Sequence, residues 1–91
     1  MQATNYEINY DKEAKKIGLI VGISEEIYFC TLSRVSTVYV EKIGDQWVAC
    51  RETYILNSKR ISNYKIIANG SFELVMARTK NYLQYIKKKR K

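Results

Sequence analysis

The sequence predicts an α+β domain: an antiparallel β-sheet of about four to six strands packed against a C-terminal amphipathic helix. Short runs rich in β-branched and aromatic residues fill the first two-thirds of the chain, as is typical of strands. A Gly-Asp pair separates two of these runs and indicates a hairpin. Beyond residue 70, apolar residues instead recur at intervals of three and four, which is the pattern of a helix.

The chain length predicts one domain. Ninety-one residues, without proline or repeats, give no sign of an internal boundary, since domains usually contain on the order of 100 residues. We therefore expect a single globular α+β domain over residues 1–86 and a basic tail over residues 87–91.

The composition also bears on the compartment. The longest apolar run covers residues 17–23, which is far shorter than the roughly 20 residues of a membrane span. The first residues do not have the pattern of a secretory signal, so we expect a cytoplasmic protein without membrane contact. The closing "KKKRK" resembles a nuclear-import signal, and nuclear localisation is the alternative if the source is eukaryotic.

The first element is open to two interpretations. "NYEINY", residues 5–10, alternates apolar and polar side chains, which predicts a strand. Further on, "IGLIVGIS" is consistent with a buried strand. Alternatively, Asp11 caps a short helix through "KEAKKIGL", although Gly18 is unfavourable within it. Residues 11–23 are therefore either strand or helix.

The central strands are predicted at "EIYFCTLSRV", "TVYVEKI" and "QWVACRETYIL", with Glu25-Glu26 marking a turn before the first. Gly44-Asp45 suits a type II′ turn, whose first central residue needs a positive φ. That turn places Val40 opposite Ala49. Both faces of the hairpin are then apolar, with Val38, Val40, Trp47 and Ala49 on one face and Tyr39, Ile43, Val48 and Cys50 on the other.

The last segment contains competing signals. Asn69-Gly70 between apolar runs favours a hairpin. The apolar stripe that follows persists for four turns, however, and Ser71 is a suitable N-cap with Glu73 in the first turn. We therefore predict a helix, with Asn69-Gly70 ending the strand before it. The stripe consists of Phe72, Val75, Met76, Thr79, Leu83 and Ile86, with Tyr82 beside it.

Positive charge is concentrated in the second half of the chain. Residues 1–53 carry six basic and eight acidic side chains, a net charge of −2. Residues 54–91 carry ten basic side chains and one acidic side chain, a net charge of +9. This asymmetry is typical of an end that binds a polyanion, either DNA, RNA or an acidic protein surface. The alternative is that the cations complement the helix dipole and keep the domain soluble.

Basic residues interleaved with tyrosines predict a nucleic-acid-binding surface with little sequence preference. The expected phosphate contacts are Lys59, Arg60, Lys65, Arg78, Lys80, Lys87, Lys88, Lys89, Arg90 and Lys91. The expected stacking surfaces are Tyr64, Tyr82 and Tyr85, for which the alternative is a place at the edge of the core. No helix-turn-helix, ribonucleoprotein or GXXG motif favours sequence-specific binding.

The sequence offers little for catalysis. It has no histidine, no phosphate-binding loop and no CxxC pair, so we expect no enzyme activity, no metal site and no cofactor. Cys30 and Cys50 end β-favouring apolar runs, where free cysteines usually behave as small buried hydrophobic residues. A disulfide between neighbouring strands is the alternative.

A second functional hypothesis is a non-catalytic protein-interaction module, either a homodimer or an inhibitor or regulator of a larger complex. It depends on the two apolar faces of the hairpin, which one helix does not cover completely. The predicted interface residues are Val38, Val40 and Trp47.

Overall fold

The structure, a computed structural model, describes residues 8–57 and 60–89 and contains one five-stranded antiparallel sheet. The strands follow one another in chain order, and the C-terminal helix packs on one face of the sheet. The predicted α+β fold is confirmed. The elements are α1 (Tyr10–Lys16), β1 (Ile20–Ile23), β2 (Ile27–Ser33), β3 (Ser36–Ile43), β4 (Gln46–Tyr54), β5 (Ile61–Gly70) and α2 (Phe72–Lys89).

The β3–β4 hairpin has the predicted register. Val40 pairs with Ala49, and Gly44 has a φ of +62°, as the first central residue of a type II′ turn requires. Glu25 lies in the turn between β1 and β2, also as predicted, and has a φ of +64°. Local turn chemistry therefore accounts for the β3–β4 connection, whereas the β1–β2 turn holds a glutamate in a backbone conformation that non-glycine residues seldom adopt.

Residues 11–23 form a helix followed by a strand, so each alternative accounts for half of the segment. The N-cap of α1 is Asn9 rather than Asp11, because the Asn9 side chain accepts a hydrogen bond from the backbone N–H of Lys12 at 3.0 Å. The strand predicted for "NYEINY" is wrong at its described end, where Tyr10 already begins α1; residues 5–7 lie outside the described residues. The Asn9 cap and the packing of Tyr10 in the core favour a helix more strongly than the alternation of apolar and polar residues favours a strand.

Asp11 joins α1 to the β1–β2 turn. Its carboxylate accepts hydrogen bonds from Ser24 Oγ at 2.6 Å, from the Tyr28 hydroxyl at 2.6 Å and from the Glu25 backbone N–H at 3.0 Å. The bonds from Ser24 and Tyr28 are the main causes that hold the pKa of Asp11 below its ordinary value. Burial and the neighbouring carboxylate raise the pKa of Tyr28 well above its usual range.

The core is organised around Trp47 on β4. Its ring centroid lies 5.9 Å from that of Tyr28, 5.0 Å from that of Phe72 and 5.6 Å from that of Tyr10. These partners belong to β2, α2 and α1, so one indole contacts another strand and both helices. Aromatic pairs at such distances stabilise by about 0.5–1.5 kcal/mol beyond the area that they bury.

Helix α2 begins and packs as predicted. The Ser71 hydroxyl accepts a hydrogen bond from the backbone N–H of Leu74 at 3.2 Å, as an N-cap does. Strand β5 ends at Gly70, directly before this cap. The first half of the apolar stripe is buried and the second half is half-buried; the buried residues are Phe72, Val75, Met76 and Thr79, and the half-buried ones are Tyr82, Leu83 and Ile86.

Asp11→Asn is expected to lower the melting temperature most at neutral pH. The hydrogen bonds favour the ionised carboxylate, so the pKa of Asp11 is lower in the folded than in the unfolded chain. Its stabilisation is present above the ordinary carboxylate range and is lost as the pH falls through the lowered folded pKa. Thermal melts from neutral to strongly acidic pH should therefore show the gap between wild type and variant closing in acid.

Asp45→Asn is the matched control, since Asp45 is exposed in the β3–β4 turn. Its melting temperature should follow that of the wild type more closely than Asp11→Asn does at neutral pH. Equal behaviour of the two variants across the pH range would contradict the role given to Asp11.

Phe72→Ala is expected to lower the free energy of unfolding by about 3–5 kcal/mol, because it removes a buried ring from the Trp47 cluster and leaves a cavity. Leu74→Ala, two residues further along the same helix and 41% exposed, should cost about 1 kcal/mol or less. Denaturant unfolding measures both. A comparable loss in the two variants would show that Phe72 contributes no more to the docking of α2 than an exposed residue of the same helix.

Candidate nucleic-acid interface

One side of α2 carries the interleaved cations and tyrosines. Arg78, Tyr82, Tyr85 and Lys89 follow one another at intervals of four, three and four residues, and so share one side of the helix, beside the buried stripe. Lys65 on β5 and Arg51 on β4 lie against the same side, since both contact Tyr82. We call this surface the basic flank; it consists of Arg51, Lys65, Arg78, Tyr82, Tyr85 and Lys89.

Arg51 links the sheet to α2. Its Nε donates a hydrogen bond to Ser36 Oγ at 2.7 Å, and its Nη1 donates one to the Tyr82 hydroxyl at 2.8 Å. Both acceptors are neutral, and no carboxylate of the described residues lies within salt-bridge distance of the guanidinium. Arginine has five N–H donors, so three remain available for an anion. The half-buried charge of Arg51 is therefore held in place by hydroxyl groups and not neutralised by an acid.

Two lysines lie over tyrosine rings. Lys65 Nζ is 5.6 Å from the centroid of Tyr82, and Lys89 Nζ is 5.5 Å from the centroid of Tyr85. Both distances fall within the range of a cation–π interaction. Tyr82 is half-buried with its hydroxyl engaged by Arg51, whereas Tyr85 is 55% exposed. Tyr85 is therefore the ring of the flank with the most surface available for stacking.

Other predicted phosphate contacts on α2 lie away from the flank. Lys80 follows Arg78 by two residues, so it projects about 160° away around the helix. Lys87 lines a cleft with Leu32 and Ile86 on the other side of the buried stripe, and Lys88 is exposed. Of the predicted tail, only Lys89 joins the flank among the described residues.

The predicted contacts before and within β5 are separated from one another. Tyr64 and Lys65 are neighbours in β5, and consecutive strand residues point to opposite faces. Lys65 faces α2, whereas Tyr64 pairs across the sheet with Glu52 on the other face, where it cannot act together with Tyr85. Arg60 is exposed just before β5. Lys59, Arg90 and Lys91 lie outside the described residues.

The interface residues of the second hypothesis are in the core. Val38 and Val40 are 0% exposed and Trp47 is 4% exposed, because they face the helices. A partner cannot reach them in this fold. The predicted division of the hairpin into two apolar faces is correct, but the face that lacks a helix is that of Tyr39 and Cys50.

Both cysteines are free. Burial raises the pKa of the Cys30 thiol, and burial together with nearby Glu52 and Glu41 raises that of Cys50. Both thiols are thus held in the protonated form, which is a poor nucleophile. Among residues 8–57 and 60–89, no group of three histidine, cysteine or carboxylate side chains is arranged to hold a metal ion.

Comparisons with protein-family models, curated proteins and solved structures found no match to this chain. No helix in the described part of the chain is long and apolar enough to cross a membrane.

Sequence reasoning missed Arg51. The signal was present in the hairpin register, because Trp47, Ala49 and Arg51 alternate along β4 and so share the face that packs against α2. A guanidinium on that face needs acceptors from the helix or from a neighbouring strand, and Tyr82 and Ser36 provide them.

Arg51→Ala is expected to reduce the free energy of unfolding by about 1–3 kcal/mol, since it leaves the Ser36 hydroxyl, 2% exposed, without its donor. Arg78→Ala removes the same charge from an exposed position of the flank and should change it by about 0.5 kcal/mol or less. Denaturant unfolding of both variants provides the measurement. Equal stability of the two would mean that Arg51 does not fasten α2 to the sheet.

Proposed function

We propose that this protein binds single-stranded nucleic acid, DNA or RNA, with little sequence preference, and that the basic flank is its folded contact surface. The observation that carries the proposal is the pairing of lysines with tyrosine rings, Lys65 with Tyr82 and Lys89 with Tyr85, next to the un-neutralised guanidinium of Arg51. Single strands are bound by this combination of cations and aromatic faces.

The cations supply affinity for phosphates. Lysine and arginine side chains release counterions from the nucleic-acid backbone, which favours association irrespective of base sequence. Arg51 and Lys65 project from the sheet, and Arg78 and Lys89 lie along the C-terminal two-thirds of α2, so the proposed phosphate contacts follow that part of the helix. Arg90 and Lys91 follow Lys89 in the sequence and add two further positive charges.

The tyrosines supply a contact that a purely electrostatic surface lacks. A base stacked on an aromatic side chain contributes about 1–3 kcal/mol and needs no particular base, since every base has an aromatic face. Tyr85, with more than half of its surface exposed, is assigned this role, whereas Tyr82 positions Arg51 and Lys65.

A matched pair of lysine variants tests the phosphate contacts. Lys65→Ala removes a cation from the flank, and Lys80→Ala removes one from the opposite side of α2. Anisotropy of a labelled single-stranded oligonucleotide, titrated at several salt concentrations, is expected to show the log–log salt slope falling by about 0.7 for Lys65→Ala. Lys80→Ala should keep the wild-type slope, and equal losses would mean that only total charge matters.

Tyr85→Ala tests the stacking contact. We expect it to weaken binding by about 1–3 kcal/mol with an unchanged salt slope, since it removes no charge. A chain ending at Ile86 lacks the whole basic tail and should bind with a smaller slope. If the shortened chain does not bind at all and Tyr85→Ala binds like the wild type, binding depends on the charge of the tail alone. That result would reject the proposal.

A further inference from the structure

The face of the sheet opposite the two helices carries an unbroken apolar row. The pairing register runs from Ile20 to Phe29, on to Tyr39, then Cys50 and finally Ile66, so these residues stand side by side across all five strands. The Phe29 and Tyr39 ring centroids are 6.4 Å apart. We call this face the open face. Its other apolar and aromatic side chains are Ile27, Ile43, Val48, Tyr54 and Tyr64.

The neighbouring row, on the other face of the sheet, is covered by the helices. Val21, Tyr28, Val40, Ala49 and Ala68 are also paired across the five strands, and they belong to or pack against the buried core beneath the helices. On the open face, in contrast, Ile20 is 55% exposed and Ile66 47% exposed, with Ile43 at 57%. The middle of the row is less exposed, with Cys50 at 8% and Phe29 and Tyr39 half-buried. Apolar residues exposed together on one face mark an interaction site.

We propose that the open face is covered by the open face of a second copy of this chain. Strand alternation places no lysine or arginine on this face, whereas the helix side carries the basic flank. Two chains of net charge +7 repel each other, so they approach most favourably through the side that is free of basic groups. Two such sheets packed face to face form a β-sandwich.

The dimensions of the face approach those of a standard interface. Five strands at about 4.8 Å spacing and strands of roughly 25 Å give a flat footprint of about 500 Å², to which projecting side chains add. A standard interface buries roughly 800 Å² per partner. Two such footprints together make about 1,000 Å², which is the lower end for a specific interface, and the projecting side chains bring the area nearer to the standard size.

Two carboxylates lie on this face, on either side of the row. Glu52 already accepts a hydrogen bond from the Tyr54 hydroxyl at 2.6 Å, so it keeps a partner when the face is covered. Glu41 is exposed one step nearer the β3–β4 turn. Both reduce the affinity of the pair to some extent, and salt should strengthen association by screening the repulsion between the chains.

The pairing is independent of nucleic-acid binding and predicts a specific arrangement. Layers about 10 Å thick place the two α2 helices on the outer surfaces of the sandwich, roughly 30 Å apart and facing away from each other. One dimer then offers two basic flanks to two separate strands.

Light scattering of the purified full chain, without nucleic acid, tests the proposal. We expect twice the 10.7 kDa chain mass at tens of micromolar protein, and tighter pairing as salt increases. Ile20→Glu and Ile66→Glu, at the two ends of the row, should each weaken the pair by about tenfold or more, because the interface would bury an additional carboxylate. Leu74→Glu, 41% exposed on α2, is the control and should remain dimeric.

Circular dichroism melts of dilute protein establish that each variant is folded. A folded Ile20→Glu or Ile66→Glu monomer beside a Leu74→Glu dimer supports the proposal. A wild-type monomer at a hundred micromolar would overturn it, as would dimers in which the Leu74 change acts as strongly as the changes on the open face. If the wild type is dimeric but does not bind oligonucleotides, the proposed function fails while this inference stands.

Discussion

The contacts of one side chain, Trp47, determine the arrangement of the whole domain. Its ring lies between Tyr28 of the sheet, Phe72 of α2 and Tyr10 of α1, so both helices are fastened to the same face through the same residue. The described helices therefore form a single layer on that face, and the sheet separates it from a face made of strands alone. Because both helices pack on one face, the basic flank lies on the helix side of the sheet and the open face lies on the other side.

The properties of α2 change along its length because its docking weakens along its length. The first two turns are buried against the Trp47 cluster, whereas the later residues of the stripe are only half-buried. The change occurs near Tyr82, where a hydrogen bond from Arg51 takes the place of apolar packing. Beyond that residue the helix needs little apolar surface, and lysines occupy its last turn, where they complement the helix dipole.

What the sequence predicted correctly is local, and what it missed depends on distant contacts. The Gly44-Asp45 turn, the Ser71 cap and the periodicity of α2 are each encoded within a few residues. The Asp11 network joins residues 13 to 17 positions apart, and the Arg51–Tyr82 bond joins residues 31 positions apart. Alternation divided the hairpin into two faces correctly, but it contains no information about which face a helix covers. That choice made Val38, Val40 and Trp47 core residues instead of an interface.

The uneven distribution of charged side chains gives the molecule an electric dipole. The cations of the basic flank lie on the helix side of the sheet, while Glu41 and Glu52 lie on its opposite face. The resulting dipole experiences a torque near any extended negative surface, which turns α2 towards that surface before contact is made. A chain that binds a polyanion through the basic flank, as we propose, is therefore aligned as well as concentrated, and its open face is turned away from the polyanion and towards a second copy of the chain.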